Sequence, residues 1–455
     1  MAYHFIGCNR EQDYLLPPSV KDWVPEGDLA WFVIDAVKEM DLGAFYEEYR
    51  KDGWGGSSFD PEMMVTLMLY SYCLGKRSSR RIERLCERDV GYRVITANQV
   101  PDHTTVARFR KRHREGLEKL FGEVLKLCAE AGMVKVGTVA LDGTKMEANA
   151  SLGANRNYEH IEREVKRMLD EADTVDEEED RLYGKDKRGD ELPQELRDPK
   201  SRLERLRACK ERLEREAQEE AKKQEEKIRK REEEESREGQ KKRGKRPEEP
   251  DPTPSEKAKG NVTDPDSRVM KTRKGYVQGY NAQAVVTMDQ IIVAAEVTQE
   301  ANDVNQLHTM VEKAQEEIAE AGIEEEIEEA LADAGYCSEE NLRRADPEGP
   351  ELYVATRKDW KQRKEMRERP PPRGRIPKEL SLRERMERKL LTKGGRALYK
   401  LRSQTVEPVF GQVKACRGCD RFMQRGKKYA RSEWRLLCAT HNLLKLYRRQ
   451  QVCLN

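Results

Sequence analysis

The stretch KGYVQGYNAQAVVTMDQIIVAAEVTQE, residues 274–300, decides the fold class of this protein. Two apolar runs rich in valine and isoleucine flank a break near Met288–Asp289. This pattern is typical of a β-hairpin with two apolar strands. The chain therefore contains a sheet, and the neighbouring segments indicate what packs on it.

Segments after the hairpin alternate between helix and strand. We expect a helix from about Asp303 to Ala321, and then a short strand near Ala330–Ala332 that ends at Asp333. Ser338 can cap the next helix. The pattern then predicts a strand over Glu351–Ala355, a basic, Pro-rich linker, and helices near 395–416 and 430–450.

Before the hairpin, VKVGTVALD (residues 134–142) predicts a strand that runs into an Asp-Gly turn. Residues 151–260 carry 30 basic and 33 acidic side chains. Within them, 199–237 predicts a long helix or helical hairpin with a weak coiled-coil seam, and 239–260 a flexible segment. We therefore expect an α+β fold, a mixed sheet with flanking helices, interrupted by a charged helical insertion after its first strand.

Residues 20–133 are predicted to be helical, with Gly75 and Pro101 between helices. Thr104 or Thr105 can cap a third helix, which would place Val106 and Phe109 inside and basic residues outside. Short helices that end in a basic one fit a helix-turn-helix arrangement for DNA. A plain helical bundle with a charged outer face is the alternative. The basic residues expected outside are Arg108, Arg110, Lys111, Arg112 and Arg114.

Together these segments predict an all-helical N-terminal DNA-binding-type domain followed by an interrupted core. The expected divisions are 1–133 for the helical domain, 134–150 for the first strand, 151–265 for the insertion, 266–416 for the rest of the core, and 417–455 for a basic C-terminal helical region.

Charge is distributed unevenly over the 455 residues. The formal net charge is +1, yet residues 351–455 hold 29 lysines and arginines against 10 acidic residues. Such a segment is typical of a protein with a polyanionic partner, because lysine and arginine release counterions from phosphates. A basic but merely solvated surface is the alternative interpretation.

Several classes of protein are not favoured. The longest apolar stretch, Met63 to Leu74, is shorter than the ~18 residues that a membrane span needs. The first residues lack a signal-peptide pattern, and the ten cysteines form no disulfide framework. We expect a cytoplasmic, nucleoid-associated protein without membrane contact. No P-loop or dinucleotide-binding glycine motif is present.

Three acidic residues could carry chemistry. Asp142 and Asp333 each end an apolar strand, where a carboxylate is held on rigid backbone. Glu407 lies between Arg402 and Lys414 at helical spacing. Carboxylates from neighbouring strands and a crossing helix can hold two Mg²⁺ ions that activate a water or 3′-hydroxyl. Alternatively, Asp142 and Asp333 are turn residues and Glu407 belongs to a surface pair.

Several motifs resemble bacterial insertion-sequence transposases of the DDE type, whose catalytic core is RNase H-like. They lie in the N-terminal helices, around each of the three acidic residues, and in the last helix. The motifs are FDPEMMVTLMLYSYCLGKRSSRRIERL, VPDHTTVARFRKRH, ALDGTKMEANAS, GYNAQAVV, ADAGYCSEENL, VEPVFGQVK and RFMQRGKKYARSEWRLLCATHNLLKL.

The resemblance implies an RNase H-like core in which Asp142, Asp333 and Glu407 bind two Mg²⁺ ions, with Mn²⁺ able to substitute. Tyr399, Arg402 and Lys414 resemble the Tyr-Arg-Glu-Lys signature around the glutamate, and the resemblance implies that they contact DNA. Four residues rather than three separate Arg402 from the glutamate. On a continuous helix, the extra residue rotates Arg402 about 100° away from the face that carries Glu407.

The implied activity is cleavage of double-stranded DNA at terminal inverted repeats and transfer of the 3′-hydroxyl to target DNA, by a homodimer on DNA. A non-catalytic helix-turn-helix and coiled-coil DNA-binding protein, or a metal-dependent nuclease that does not join, are the alternatives. Cys416, Cys419, Cys438 and His441 have a spacing permissible for zinc, although the resembled family needs none there.

Overall fold

The fold is given by a computed structural model that describes residues 19–49, 57–168, 197–238, 249–272, 275–377 and 379–454. Before residue 138 its regular elements are all helical, as predicted. They are a short 3₁₀ turn at Val20–Asp22 and helices α1 (Leu29–Lys38), α2 (Gly43–Tyr46), α3 (Pro61–Cys73), α4 (Ser79–Arg88), α5 (Val90–Ile95), α6 (His103–Arg112) and α7 (Arg114–Glu130).

Local sequence explains the limits of α3. Pro61 occupies its first turn, where a missing N–H costs nothing, and the Asp60 side chain accepts a hydrogen bond from the amide of Glu62. Gly75, with a φ of +68°, follows the helix, as predicted. The apolar run of α3 is almost wholly buried, so it is a core helix.

The sheet elements begin at residue 138. They are β1 (Thr138–Glu147), β2 (Asn155–Asn157), β3 (Lys259–Asn261), β4 (Arg268–Thr272), β5 (Gly275–Thr287), β6 (Ile292–Thr298), β7 (Glu329–Ala332) and β8 (Glu351–Val354). β5 and β6 form the predicted hairpin, with Gln290 at a φ of 63° in its turn. β7 and β8 also lie where the sequence predicts strands.

The six-stranded sheet is mixed. β1 lies at its centre, antiparallel to β5 on one side and parallel to β7 on the other, and β7 pairs in parallel with β8. The far edge of β5 carries β4 and β6, both antiparallel to it. β6 therefore runs in the same direction as β1, and the carboxyl ends of β1, β6, β7 and β8 lie at one edge. β2 and β3 form a separate ribbon.

Helices surround and interrupt this sheet. They are α8 (residues 158–168), α9 (Arg197–Glu238), α10 (Leu307–Glu320), α11 (Glu339–Arg343), α12 (Asp359–Glu368), α13 (Leu382–Leu391), α14 (Lys393–Gly411), continued by a π-helical turn at Gln412–Cys416, and α15 (Lys427–Leu454). Ser338 caps α11 as predicted. α12 and α13 lie where the sequence suggested only a linker.

One hydrophobic core joins the N-terminal helices to the sheet. α15 packs against α3 and α7 on one side and against β6 on the other. Its residues Trp434 and Leu437 are fully buried in the same cluster as Phe121 of α7 and Val293 of β6. The basic C-terminal segment therefore contains a central core helix.

The charged segment has a small core of its own. Leu206, Cys209 and Leu213 of α9 pack against Ile161 and Val165 of α8. The predicted helix over 199–237 is present as α9. Residues 239–248 of the segment predicted to be flexible lie outside the described residues.

Two local expectations were wrong. Asp142 and Gly143 are not in a turn, because β1 continues to Glu147 and both residues pair with β5. The side chain of Asp102, not Thr104 or Thr105, caps α6 by accepting hydrogen bonds from the two threonine amides. An aspartate acceptor at this position satisfies two amides that a helix start leaves unpaired.

Candidate active site

Asp142 and Asp333 lie side by side at the carboxyl edge of the sheet. Ala140 of β1 pairs with Leu331 of β7 in parallel register, and two further residues on each strand lead to the two aspartates. Asp142 is still within β1, whereas Asp333 follows β7 and accepts a hydrogen bond from the Gly335 amide at 2.8 Å. The parallel register thus brings together two carboxylates that are 191 positions apart.

Arg402 links Asp142 to Glu407. This α14 guanidinium is 5 % exposed and donates to Asp142 Oδ2 at 3.1 Å and to Glu407 Oε1 at 3.4 Å, through different terminal nitrogens. α14 remains helical through Pro408. Because arginine is long and forked, it reaches Glu407 despite the five-residue spacing. Glu407 is 46 % exposed and also accepts from Arg363 at 3.3 Å.

Burial raises the pKa of Asp142 to about 7. The Arg402 guanidinium opposes this rise, and the neighbouring Asp333 carboxylate adds to it. An ionised Asp142 therefore lacks sufficient positive charge around it, even with Arg402 in contact. A hard cation between the carboxylates would supply that charge.

Tyr399 and Lys414 flank this arrangement. Tyr399 is buried, with the Arg402 guanidinium 6.0 Å from its ring centroid. Lys414, in the π-helical turn, donates from Nζ to Thr144 Oγ1 at 3.1 Å and to the Lys145 carbonyl at 2.8 Å. Burial lowers the pKa of Lys414. Lys414 thus fixes the end of α14 to β1, two residues beyond Asp142.

A fourth carboxylate, Asp303, lies at the same edge and was missed by sequence reasoning. It follows β6, whose carboxyl end lies at this edge. Asp303 Oδ1 accepts from Asn281 Nδ2 at 2.6 Å and from Gln283 Nε2 at 2.7 Å, and Lys145 Nζ is 3.4 Å away. Asp333 directly follows β7, whereas Asp303 lies in the loop beyond the end of β6 with Glu300 before it, so the sequence signal that identified Asp333 does not single out Asp303.

These carboxylates have the chemistry, but not yet the arrangement, of a metal site. Among the described residues, no three His, Cys, Asp or Glu side chains are grouped so as to hold a metal ion. Arg402 instead lies between Asp142 and Glu407. Carboxylate oxygens are the ligands that Mg²⁺ and Mn²⁺ prefer, but a cation between Asp142 and Glu407 would have to displace the Arg402 guanidinium.

The four residues considered for zinc are not brought together either. His441 is buried against the Gln290 carbonyl, 3.0 Å from its Nε2, and burial lowers the pKa of its imidazole to about 3. Cys438 is fully buried and Cys416 is exposed, so these two thiols face different surroundings.

On α6 the basic residues divide into two groups. Arg108 and Lys111 are exposed, whereas Arg110 is 6 % exposed. The expectation that Arg110 faces solvent was therefore wrong. Its Nη1 donates to the Arg77 carbonyl at 2.8 Å and to Tyr72 Oη at 3.3 Å, and these bonds offset part of the cost of burying its charge.

Two basic concavities lie on the surface. A cavity of about 520 Å³ beside α4 is lined by Ser78, Arg80, Arg81, Arg84 and Leu85. A second, of about 510 Å³, lies beside α14 and is lined by Arg363, Met366, Arg367, Arg396, Tyr399, Lys400 and Ser403. The second borders the carboxylates, because Arg363 contacts Glu407 and Tyr399 lies beside Arg402.

In the described part of the chain, no helix is long and apolar enough to cross a membrane. Comparison with curated proteins found no match, and neither did comparison with solved structures. Two protein families do match. Residues 18–112 match the family described as Transposase domain (DUF772), and residues 362–447 match the Transposase DDE domain, a range that contains Glu407. The two matches, one at each end of the chain, indicate that this protein is an insertion-sequence transposase of the DDE type.

Proposed function

We propose that this transposase binds the terminal inverted repeats of its element, cuts the DNA, and joins the 3′-hydroxyl to target DNA, with Asp142, Asp333 and Glu407 as its catalytic carboxylates. The observation that carries the proposal is the position of Asp142 and Asp333 on neighbouring strands, with Glu407 of α14 sharing the Arg402 guanidinium with Asp142. Asp142 and Asp333 are adjacent in register, and Arg402 contacts both Asp142 and Glu407.

The three carboxylates would hold two Mg²⁺ or Mn²⁺ ions, which when bound activate a water or 3′-hydroxyl and stabilise the leaving oxygen of a phosphodiester. In the protein alone, Arg402 neutralises Asp142 and Glu407. If cations took over this neutralisation, the Arg402 guanidinium would be free to contact the DNA backbone, since guanidinium groups bind phosphates in a bidentate manner.

Strand topology supports an RNase H-like core as a further part of this proposal. Counting only the five core strands in chain order, β1, β5, β6, β7 and β8 lie in the spatial order 3-2-1-4-5, with only the second strand antiparallel to the rest. Along the chain, α8, α9 and the β2–β3 ribbon lie between β1 and β5. We propose that they form an insertion into the core.

Basic surfaces supply the proposed contacts to DNA. The cavity beside α14 would hold the phosphates of the strand being cut, because it borders Glu407. Arg108 and Lys111 of α6 and the arginines lining the cavity beside α4 would bind flanking duplex, largely through phosphates. Two element ends must be cut together, so we propose that a homodimer acts on DNA.

Cleavage and joining can be tested separately. The full-length protein with Mn²⁺ should nick labelled DNA that carries the element end, and Asp142→Ala and Glu407→Ala should abolish nicking while retaining DNA binding. A labelled pre-cut 3′ end should become joined to plasmid. Nicking without joined product would favour a nuclease, and binding with no nicking in the unaltered protein would favour a non-catalytic DNA-binding protein.

A further inference from the structure

Asp303 carries the further inference, which rests on the proposed function. We propose that Asp303 supplies a fourth carboxylate to the divalent-cation site of Asp142, Asp333 and Glu407. The resemblance assigns it no role, and it lies in the loop between β6 and α10.

Asp303 is held by one oxygen only. Oδ1 accepts from the side-chain amides of Asn281 and Gln283, at 2.6 and 2.7 Å, and lies 3.4 Å from Lys145 Nζ. Within the described chain, Oδ2 accepts no hydrogen bond from the protein. A carboxylate fixed through one oxygen is oriented in advance, and its other oxygen remains available as a ligand.

That second oxygen lies near Asp333. A Cβ built on Gly335 would lie 3.3 Å from Asp303 Oδ2 and 2.9 Å from Asp333 Oδ1, so both carboxylates approach the same point. Ion pairing with Lys145 explains the position of Oδ1 but not the approach of Oδ2 to another anion. Because Asp303 Oδ2 and Asp333 Oδ1 both lie within 3.3 Å of that point, the two anionic groups share this part of the sheet edge, and such like charges favour a cation beside them.

A buried acceptor without a donor lies beside this carboxylate. Asn281 is fully buried, and no donor in the described part of the chain forms a hydrogen bond with its Oδ1. A Cβ on Gly143 would lie 2.8 Å from this oxygen and 2.7 Å from Asp303 Oδ1. Only the absence of a side chain at Gly143 leaves room for these two oxygens. An unpaired buried acceptor is costly, and it points to a ligand that arrives from outside.

Mn²⁺ binding to the full-length protein without DNA tests the proposal, with free Mn²⁺ measured by electron paramagnetic resonance. Asp303→Asn preserves Oδ1 for the two amide donors and replaces only Oδ2. We expect it to weaken Mn²⁺ binding by about tenfold or more. Glu300→Gln is the matched control, because Glu300 is in the same loop and accepts from Asn305 and Gln306 but is exposed; its affinity should equal that of the unaltered protein.

Lys145→Gln separates a ligand from a simple ion-pair partner. If Asp303 only neutralises Lys145, the double variant Asp303→Asn/Lys145→Gln should bind Mn²⁺ as tightly as the unaltered protein, because no unpaired charge remains, and that result would overturn the proposal. If Asp303 is a ligand, Lys145→Gln should bind Mn²⁺ at least as tightly as the unaltered protein. If Asp303→Asn melts at a lower temperature than the unaltered protein, Asp303→Glu serves as a second variant. Asp303→Glu should bind Mn²⁺ more tightly than Asp303→Asn, and failure to do so counts against the proposal.

Asp142→Asn distinguishes this proposal from the proposed function. If Asp142→Asn binds Mn²⁺ weakly but Asp303→Asn binds it normally, then Asp303 is not a ligand, and the proposed function is unaffected. If Asp142→Asn binds Mn²⁺ as tightly as the unaltered protein, the proposed cation site is wrong, and the proposed role of Asp303 is wrong as well.

Discussion

Replacing Asp142 by asparagine should stabilise the fold at pH 8 while abolishing strand cleavage. Burial raises the pKa of Asp142 from 3.8 to about 7, and this value already includes the attraction of Arg402. Each tenfold change in proton affinity corresponds to about 1.4 kcal/mol, so ionising the buried carboxyl costs the fold up to about 4 kcal/mol. Asparagine has nearly the same shape and carries no charge to desolvate.

The sign of the pH dependence follows from the raised pKa. The folded state holds the Asp142 proton more tightly than the unfolded chain, so this contribution to stability is complete below pH 3.8 and is lost as the pH rises to about 7. Asp142→Asn does not titrate there. The free energy of unfolding of Asp142→Asn should therefore exceed that of the unaltered protein by about 4 kcal/mol at pH 8, and this difference should shrink steadily toward pH 4.

Urea unfolding without divalent cations, followed by circular dichroism at pH 8 and pH 5, measures this difference. Asp289→Asn, in the exposed turn between β5 and β6, is the control and should show no such difference. Added Mn²⁺ should stabilise the unaltered protein but not Asp142→Asn. An Asp142→Asn protein that is no more stable at pH 8, or whose advantage does not change with pH, would refute the reasoning.

Three further predictions concern the carboxylate on α14 and the basic side chains. Glu407→Gln should abolish nicking of element-end DNA with less than about a twofold change in Kd, as measured by gel shift, because one charge far from most phosphates adds little to binding. Arg110→Met should lower the free energy of unfolding by about 2–3 kcal/mol, because it leaves the Arg77 carbonyl unpaired, and should leave Kd for DNA unchanged; weaker DNA binding by a stable Arg110→Met protein would contradict the buried position. Glutamine substitutions of the arginines that line the cavity beside α4 should weaken binding to any duplex and reduce the salt dependence of log Kd by up to about three, measured by fluorescence anisotropy; an unchanged slope would remove this surface from the interface. Those arginines are Arg80, Arg81 and Arg84.

Much of the fold was predictable because its signals are local. The β5–β6 hairpin, β7, β8, α9 and α10 lie where apolar periodicity and turn residues placed them. β4 and the β2–β3 ribbon were missed, since three to five residues give too short a pattern to detect. α12 and α13 were missed because many charges and prolines in this region conceal their periodicity.

The residues of the candidate site were predictable mainly through the resemblance to transposases. Asp142, Asp333 and Glu407 each had an ordinary alternative as a turn or surface residue. The parallel register of β1 with β7 removes that alternative for Asp142, which lies within a strand, and sets Asp333 beside it. Register is a long-range property, and no spacing along the chain reports it.

The sequence by itself determined the order of helices and strands, the charge of each segment and the residue types that can serve as cation ligands, because these depend on neighbours in the chain. Tertiary structure alone decided which charges are buried and which meet. Arg110 looks like its exposed neighbours until Tyr72 and Arg77 are packed around it, and the basic C-terminus contains the buried helix α15. Asp303 joins the carboxylate edge only because β6 runs parallel to β1 and Gly143 leaves it room. Burial and contact arise from distant segments packing together, so they cannot be read from local sequence.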